Sequence, residues 1–574
     1  MGEGFTSLIY SVAGLRLADG TADRTNPYQT LVDATRALIQ TAEATAARAQ
    51  RVPLTESTHT RGGQDITQLS SLRRRANALA NITATFSDAA DRYVVAYITS
   101  LAGQRTEVQK ILSYFDGELR SIAQDVLNGA SDDSSVLREI LERCYSQSLH
   151  TSGALHYDNY FIPLSEASLG WPYDPDFESE EYYEHENRLD VDEGYAEAFR
   201  VQCERKSENE RKQREEWIGF WVRALSECPN GPTLFYPPTS RLPQRHFGDV
   251  PRYLFRAFDQ ASSGQSDENV VASMESISAT SWHSKVDLLS RIKEEATKML
   301  HRHLTKSCFG GEGDDNLMSW SSFLLFVIQY AIWRCHHRHC GQDEVKICTV
   351  DTTKFPRGQF ARDMTLLRAY RQTSGLDEGM RKFFDFRLKN ASYDNGEYLS
   401  QGEVHHTGRS YVFSLDQLIQ AVLHDLYPEF ADSSAMGSWT NRVGSLRLGW
   451  SIEHTTTQVD IRRAFEVARA CFNTFNAPDV ALLLLSFKNR KPRATTTTRT
   501  SRFHNVTQER RRNLKDYGPD EVQRYMEIAE TMMPKDRDDC DALSWLSSVD
   551  TQLLEKVFEC TSTEIRHADH HRRT

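Results

Sequence analysis

Apolar residues recur at three- and four-residue spacing from Tyr28 to about Ser146, as in LVDATRALIQTAEATAARAQ and VQKILSYFDGELRSIAQDVL. That is the period of an amphipathic helix, and the wealth of Ala, Leu, Arg, Gln and Glu suits it. The pattern predicts a helical bundle over residues 1–150, with three or four antiparallel helices and a connection at Pro53 to Gly63. The stretch WPYDPDFESEEYYEHENRLDVDEG has no apolar period and reads as an acidic linker. A charged helix is predicted from about Glu193 to Cys228, where ERKSENERKQREEW interleaves opposite charges ahead of the apolar WIGFWVRAL. Together these make a second segment, 151–231.

Pro229, Pro232, Pro237, Pro238 and Pro243 break the chain, and the pattern then changes. Short runs with strand character (PRYLFRAF, EVKICTVDT, EYLSQGEV, SYVF) alternate with helical ones (WSSFLLFVIQYAIW, LDEGMRKFFDF, LDQLIQAVLHDL). This predicts a mixed α/β domain over residues 232–430. From 431 to 574 the helix period returns in IRRAFEVARACF, DVALLLLSF, PDEVQRYMEIAETMM and DALSWLSSVDTQLLEKVFEC. It is interrupted by a basic, Thr-rich insertion at 488–515, which carries ten Lys/Arg against one Glu and is expected to be solvated. The fold class is therefore α+β, with a central mixed module flanked by helical regions.

Composition narrows the function classes. A net charge of −12 over 574 residues argues against wholesale binding to nucleic acid or an anionic membrane. The basic insertion alone carries no sequence-specific nucleic-acid motif. Ten scattered cysteines read as reduced thiols. The apolar run Phe323 to Trp333 is too short to span a bilayer, and no secretory signal opens the chain, so a cytoplasmic or nuclear location is expected. Protein partners are expected on the helical arms.

Glycine-rich phosphate loops, CxxC pairs, HExxH and GxSxG are absent. The cluster RCHHRHC places Cys335, His336, His337, His339 and Cys340 within six residues. Such ligands suit zinc, but their crowding and position predict a helix C-terminus without a metal. His405 and His406 read as surface histidines or substrate-side contacts.

Three further elements form an ordered set. YLFRAF puts Arg256 inside a strand otherwise fit for burial, where a guanidinium is costly unless paired or bound to an anion. LMSWSSFLLF puts Ser319, Ser321 and Ser322 at a strand-to-helix junction, where serines serve as caps. EYLSQGEV places Gln401 and Glu403 on one strand, and the two-residue repeat turns both to the same face.

In this order the three elements resemble the signature of the mono-ADP-ribosyltransferase superfamily of the bacterial-toxin type. The same stretch, with KFPRGQF, also looks like an uncharacterised domain of filamentous-fungal proteins. The first resemblance implies an NAD-dependent mono-ADP-ribosyltransferase or NAD glycohydrolase, with NAD as substrate and an acceptor that the sequence does not identify. Arg256 and Ser321 would hold NAD, Glu403 would stabilise the oxocarbenium-like transition state, Ser319 would orient that carboxylate, and Gln401 would face the acceptor. The ring that stacks on nicotinamide would be Phe355, Phe360, Tyr393 or Tyr398. The alternative is a non-enzymatic scaffold with a degenerate fold of this kind. Convergence of Arg256, Ser319 and Glu403 in one cleft separates the two.

Overall fold

The computed structural model describes residues 27–50, 62–129, 136–162, 187–236, 250–278, 286–305, 315–374, 376–390, 394–490, 519–532 and 560–561. It divides into two units, Met1–Ala89 and Ala90–Thr574. Helix α1 (Pro27–Gln50) and most of α2 (Gly62–Ser100) belong to the first.

In the second unit, the end of α2 joins α3 (Thr106–Tyr114), α4 (Asp116–Gly129), α5 (Val136–Leu149) and α6 (Glu193–Glu227). The long α6 begins where Asp192 caps the Tyr195 amide, and its polar half is exposed. Near its end, Trp217, Phe220, Trp221, Ala224 and Leu225 recur at helical spacing and bury one stripe. They pack on Ile98, Phe115, Leu119, Leu141 and Leu155, so the boundary expected at 150 runs through a single core.

The centre is a six-stranded antiparallel sheet in the order β6-β7-β4-β1-β5-β9. Its strands are β1 (Tyr253–Phe258), β4 (Leu317–Ser321), β5 (Lys346–Asp351), β6 (Ala361–Arg362), β7 (Glu397–Gln401) and β9 (Ser410–Ser414). A smaller sheet joins β2 (Gln265–Ser266), β3 (Val270–Ala272) and β8 (Glu403–His405). Strand alternation sorts the large sheet into two faces. One face carries Leu254, Phe258, Met318, Trp320, Cys348 and Tyr398, covered by Val271 and Val404 of the small sheet and by Phe355 and Phe360.

Helices cover the opposite face. Over β4, β6 and β7 lie α7 (Lys293–Thr305), α9 (Asp363–Tyr370) and α10 (Glu378–Lys389), meeting Leu317 and Leu399. Over β1, β5 and β9 lies α8 (Leu324–Arg338), together with α11 (Leu415–Gln420), α12 (Thr440–Trp450), α13 (Gln458–Cys471) and α14 (Ala477–Leu485). These last helices share a core with Tyr253, Phe255, Ile347 and Phe413, so the sheet's hydrophobic face does not end at 430.

The first three residues of the basic insertion expected at 488–515 are held by the fold. Lys488 pairs with Glu429, and Arg490 is buried against Asp460 at 3.1 Å. Asn489 and Arg490 pair with Glu453 and His454, while residues 491–515 lie outside the described residues.

Candidate functional site

The large sheet is opened at its centre. Six residue pairs join β1 to β5 and five join β4 to β7, but β1 meets β4 at one, Phe255 with Ser321. An unbroken antiparallel ladder would go on to pair Arg256 with Trp320 and Ala257 with Ser319. The Arg256 guanidinium reaches into that split instead, and its Nη1 donates to the Ser319 carbonyl at 2.7 Å. Among the described residues no carboxylate lies within ion-pair distance of Arg256, and its Nε is buried without a hydrogen-bond partner. Burial pushes the guanidinium below its ordinary range; Tyr330 and Cys348 oppose the shift, and Arg334 adds to it. Arg334 itself is neutralised by Asp259.

The Ser319 side chain points to the helical face. Its hydroxyl donates to Glu397 Oε1 at 2.6 Å and lies 2.9 Å from His303 Nε2. His303 Nδ1 lies 2.9 Å from Asp315 Oδ1, which also accepts the Leu317 amide at 2.9 Å. On the other side, Glu397 Oε2 accepts from Arg387 at 2.6 Å and from Asn395 at 3.0 Å. Arg387 also binds Asp363 at 2.6 Å. Burial pushes the Glu397 carboxyl up, but Arg387 and the Ser319 hydrogen bond hold it below the usual carboxylate range. Asp363 is raised, because burial outweighs its share of the same guanidinium.

Ser321 is committed to the backbone, donating to the Asn395 carbonyl at 2.6 Å and accepting the Phe323 amide at 3.0 Å. It holds the corner where β4 turns into α8. Gln401 is 1% exposed: its Oε1 accepts the Leu288 amide at 2.7 Å and its Nε2 donates to Asp287 at 2.9 Å. Burial raises Asp287 to about 6 despite that bond.

Glu403 corrects the expectation most. Gly402 has φ +65°, a left-handed conformation that ends β7 and lets the chain cross to the small sheet. Gln401 and Glu403 therefore do not share a face. Glu403 is exposed on β8, with His405 Nε2 at 3.5 Å as its near neighbour. The three side chains expected to converge do not: Arg256 meets the Ser319 carbonyl, the Ser319 hydroxyl faces the other side of the sheet and holds Glu397, and Glu403 stands on β8.

Other expectations also change. Phe355, Phe360 and Tyr398 are buried in the core between the sheets and offer no free ring, while Tyr393 lies outside the described residues. His406 is not a surface residue: it is fully buried, with Nδ1 2.5 Å from Ser410 Oγ. RCHHRHC does end a helix. His339 takes the left-handed conformation at φ 53°, its amide donates to His336, and the Cys340 amide donates to Cys335. Among the described residues no group of three His, Cys, Asp or Glu is placed to hold a metal ion, and no helix is long and apolar enough to cross a membrane.

Glu397 escaped notice in the sequence, and His303 was not linked to Ser319. Glu397 opens the run EYLSQ, two and four residues before Leu399 and Gln401, so strand alternation already turned it to their face. Nothing in the sequence told that His303, near the end of α7, would meet Ser319.

Residues 249–415 match the family model described as a domain of unknown function (DUF7587). No curated protein and no solved structure matches the chain.

Proposed function

We propose that the 249–415 domain binds NAD, or a nucleotide with the same pyrophosphate, at Arg256 in the split between β1 and β4, without the Glu403 chemistry of the transferase resemblance. The observation that carries this is the charge state of the split. Among the described residues this half-buried guanidinium is bonded to a carbonyl and meets no carboxylate, and an unneutralised positive charge there is costly unless an anion meets it. A phosphate oxygen suits it, because the guanidinium fork binds such oxygens strongly. NAD is the ligand that the resemblance supplies.

The catalytic half of the resemblance has less support. Glu403 faces solvent on another sheet, and Gln401 is buried as a bracket for Asp287 and Leu288. Both oxygens of Glu397 are already engaged, one by Ser319 and one by Arg387 and Asn395. The geometry thus favours binding over transfer, in keeping with a degenerate transferase-like site. Calorimetric titration of the full chain with NAD and with inorganic pyrophosphate tests the reading, alongside a nicotinamide-release assay. Saturable binding with no release is expected; absence of binding by both ligands would overturn it.

A further inference from the structure

On the helical face of the sheet, away from the split, one hydroxyl stands between an imidazole and a carboxylate. Ser319 Oγ stands 2.9 Å from His303 Nε2 and 2.6 Å from Glu397 Oε1. It has a single proton to give. The far nitrogen of His303 is held at 2.9 Å by Asp315, itself fixed by the Leu317 amide. The Asp315 and His303 side chains are nearly inaccessible, at 2% and 9% exposure, while Ser319 keeps some exposure. An oriented imidazole with a carboxylate behind it, within reach of a serine, has the nucleophile–base and base–orienter contacts of an activated nucleophile.

We infer that Ser319, His303 and Asp315 form a nucleophile, base and orienting set for activated acyl compounds of the ester class. Ser319 Oγ attacks the carbonyl carbon, and the new Oγ–C bond forms as its proton passes to His303 Nε2. Collapse of the tetrahedral adduct breaks the bond to the leaving alkoxide, which takes the proton from His303. Water then repeats the sequence on the acyl-serine, releasing the carboxylic acid and restoring the hydroxyl. Asp315 is a positioning residue: it keeps the proton on Nδ1, so that Nε2 accepts. At rest the hydroxyl donates to Glu397, so attack requires the O–H to turn from Glu397 Oε1 to His303 Nε2.

The probe is a serine-directed fluorophosphonate, which forms a Ser–O–P bond and releases fluoride with the hydroxyl proton. Incubated with the full chain and digested for peptide mass spectrometry, it is expected to leave one adduct, on Ser319. Ser319→Ala should carry none, and Glu403→Gln should label as the parent does. His303→Gln should label about 100-fold or more slowly, the scale of a lost general base. Asp315→Asn should slow labelling and change its pH profile. A parent chain unlabelled at Ser319, beside a serine esterase labelled in the same tube, would overturn the inference, and so would a folded His303→Gln that labels at the parent rate. The parent result needs no variant to fold and is independent of NAD, so it is decided separately from the Arg256 site.

Discussion

Ser319 gives its hydroxyl to Glu397 at 2.6 Å across the β4–β7 pair, and Glu403, six residues further on, lies on a different sheet. The two carboxylates are thus predicted to fail in different ways. Glu397→Gln strips the buried Arg387 of a counter-charge and should cost about 3–5 kcal/mol, the scale for breaking a buried pair. Glu403→Gln alters an exposed side chain and should stay within about 0.5 kcal/mol. Urea unfolding of both variants beside the parent checks the contrast; similar costs for the two would contradict the placement.

Gly396→Ala should destabilise the strand-to-helix corner. Gly396 has φ +57°, and an added Cβ would lie 2.4 Å from Ser322 Oγ and 2.7 Å from the Phe323 ring. Backbone strain and collision together should exceed about 1 kcal/mol. A lowered unfolding midpoint is the expected reading, and a midpoint equal to the parent's would show that the corner relaxes freely.

His406 should make the fold acid-sensitive. Its Nδ1 meets Ser410, whose hydroxyl donates to the His406 carbonyl at 2.8 Å, and its buried Nε2 has no hydrogen-bond partner among the described residues. Burial lowers the imidazole to about 4, below the ordinary value of 6.5. Between those values the unfolded chain binds the proton and the native one does not, so stability falls as pH drops from about 6.5 to 4. The loss expected from this one group is about 3 kcal/mol. Unfolding free energies of the parent and His406→Gln across that range should converge as pH falls. Parallel curves would refute the assignment.

Much of the architecture was legible because periodicity survives packing. LFRAF, KICTVD and SYVF became neighbouring strands, and α6 and α8 start or end close to their capping signals. The domain edges were not legible, since they depend on which faces meet. The run DVALLLLSF is apolar all round, the mark of a fully buried helix, and it packs beneath the central sheet despite lying beyond 430. The site was half legible. Strand alternation joined Gln401 to Glu403, but one positive φ at Gly402 sends them to separate sheets. No local pattern reports the parting of β1 and β4, because it arises from pairing between strands about 60 residues apart in sequence.

The proposed anion seat at Arg256 is tested most directly by the calorimetric affinity for NAD of the parent, Arg256→Gln and Glu403→Gln. Losing a charge-assisted contact should weaken binding by about tenfold or more. That loss is expected for Arg256→Gln, with Glu403→Gln binding as the parent does. Equal affinity in the parent and a folded Arg256→Gln would contradict it.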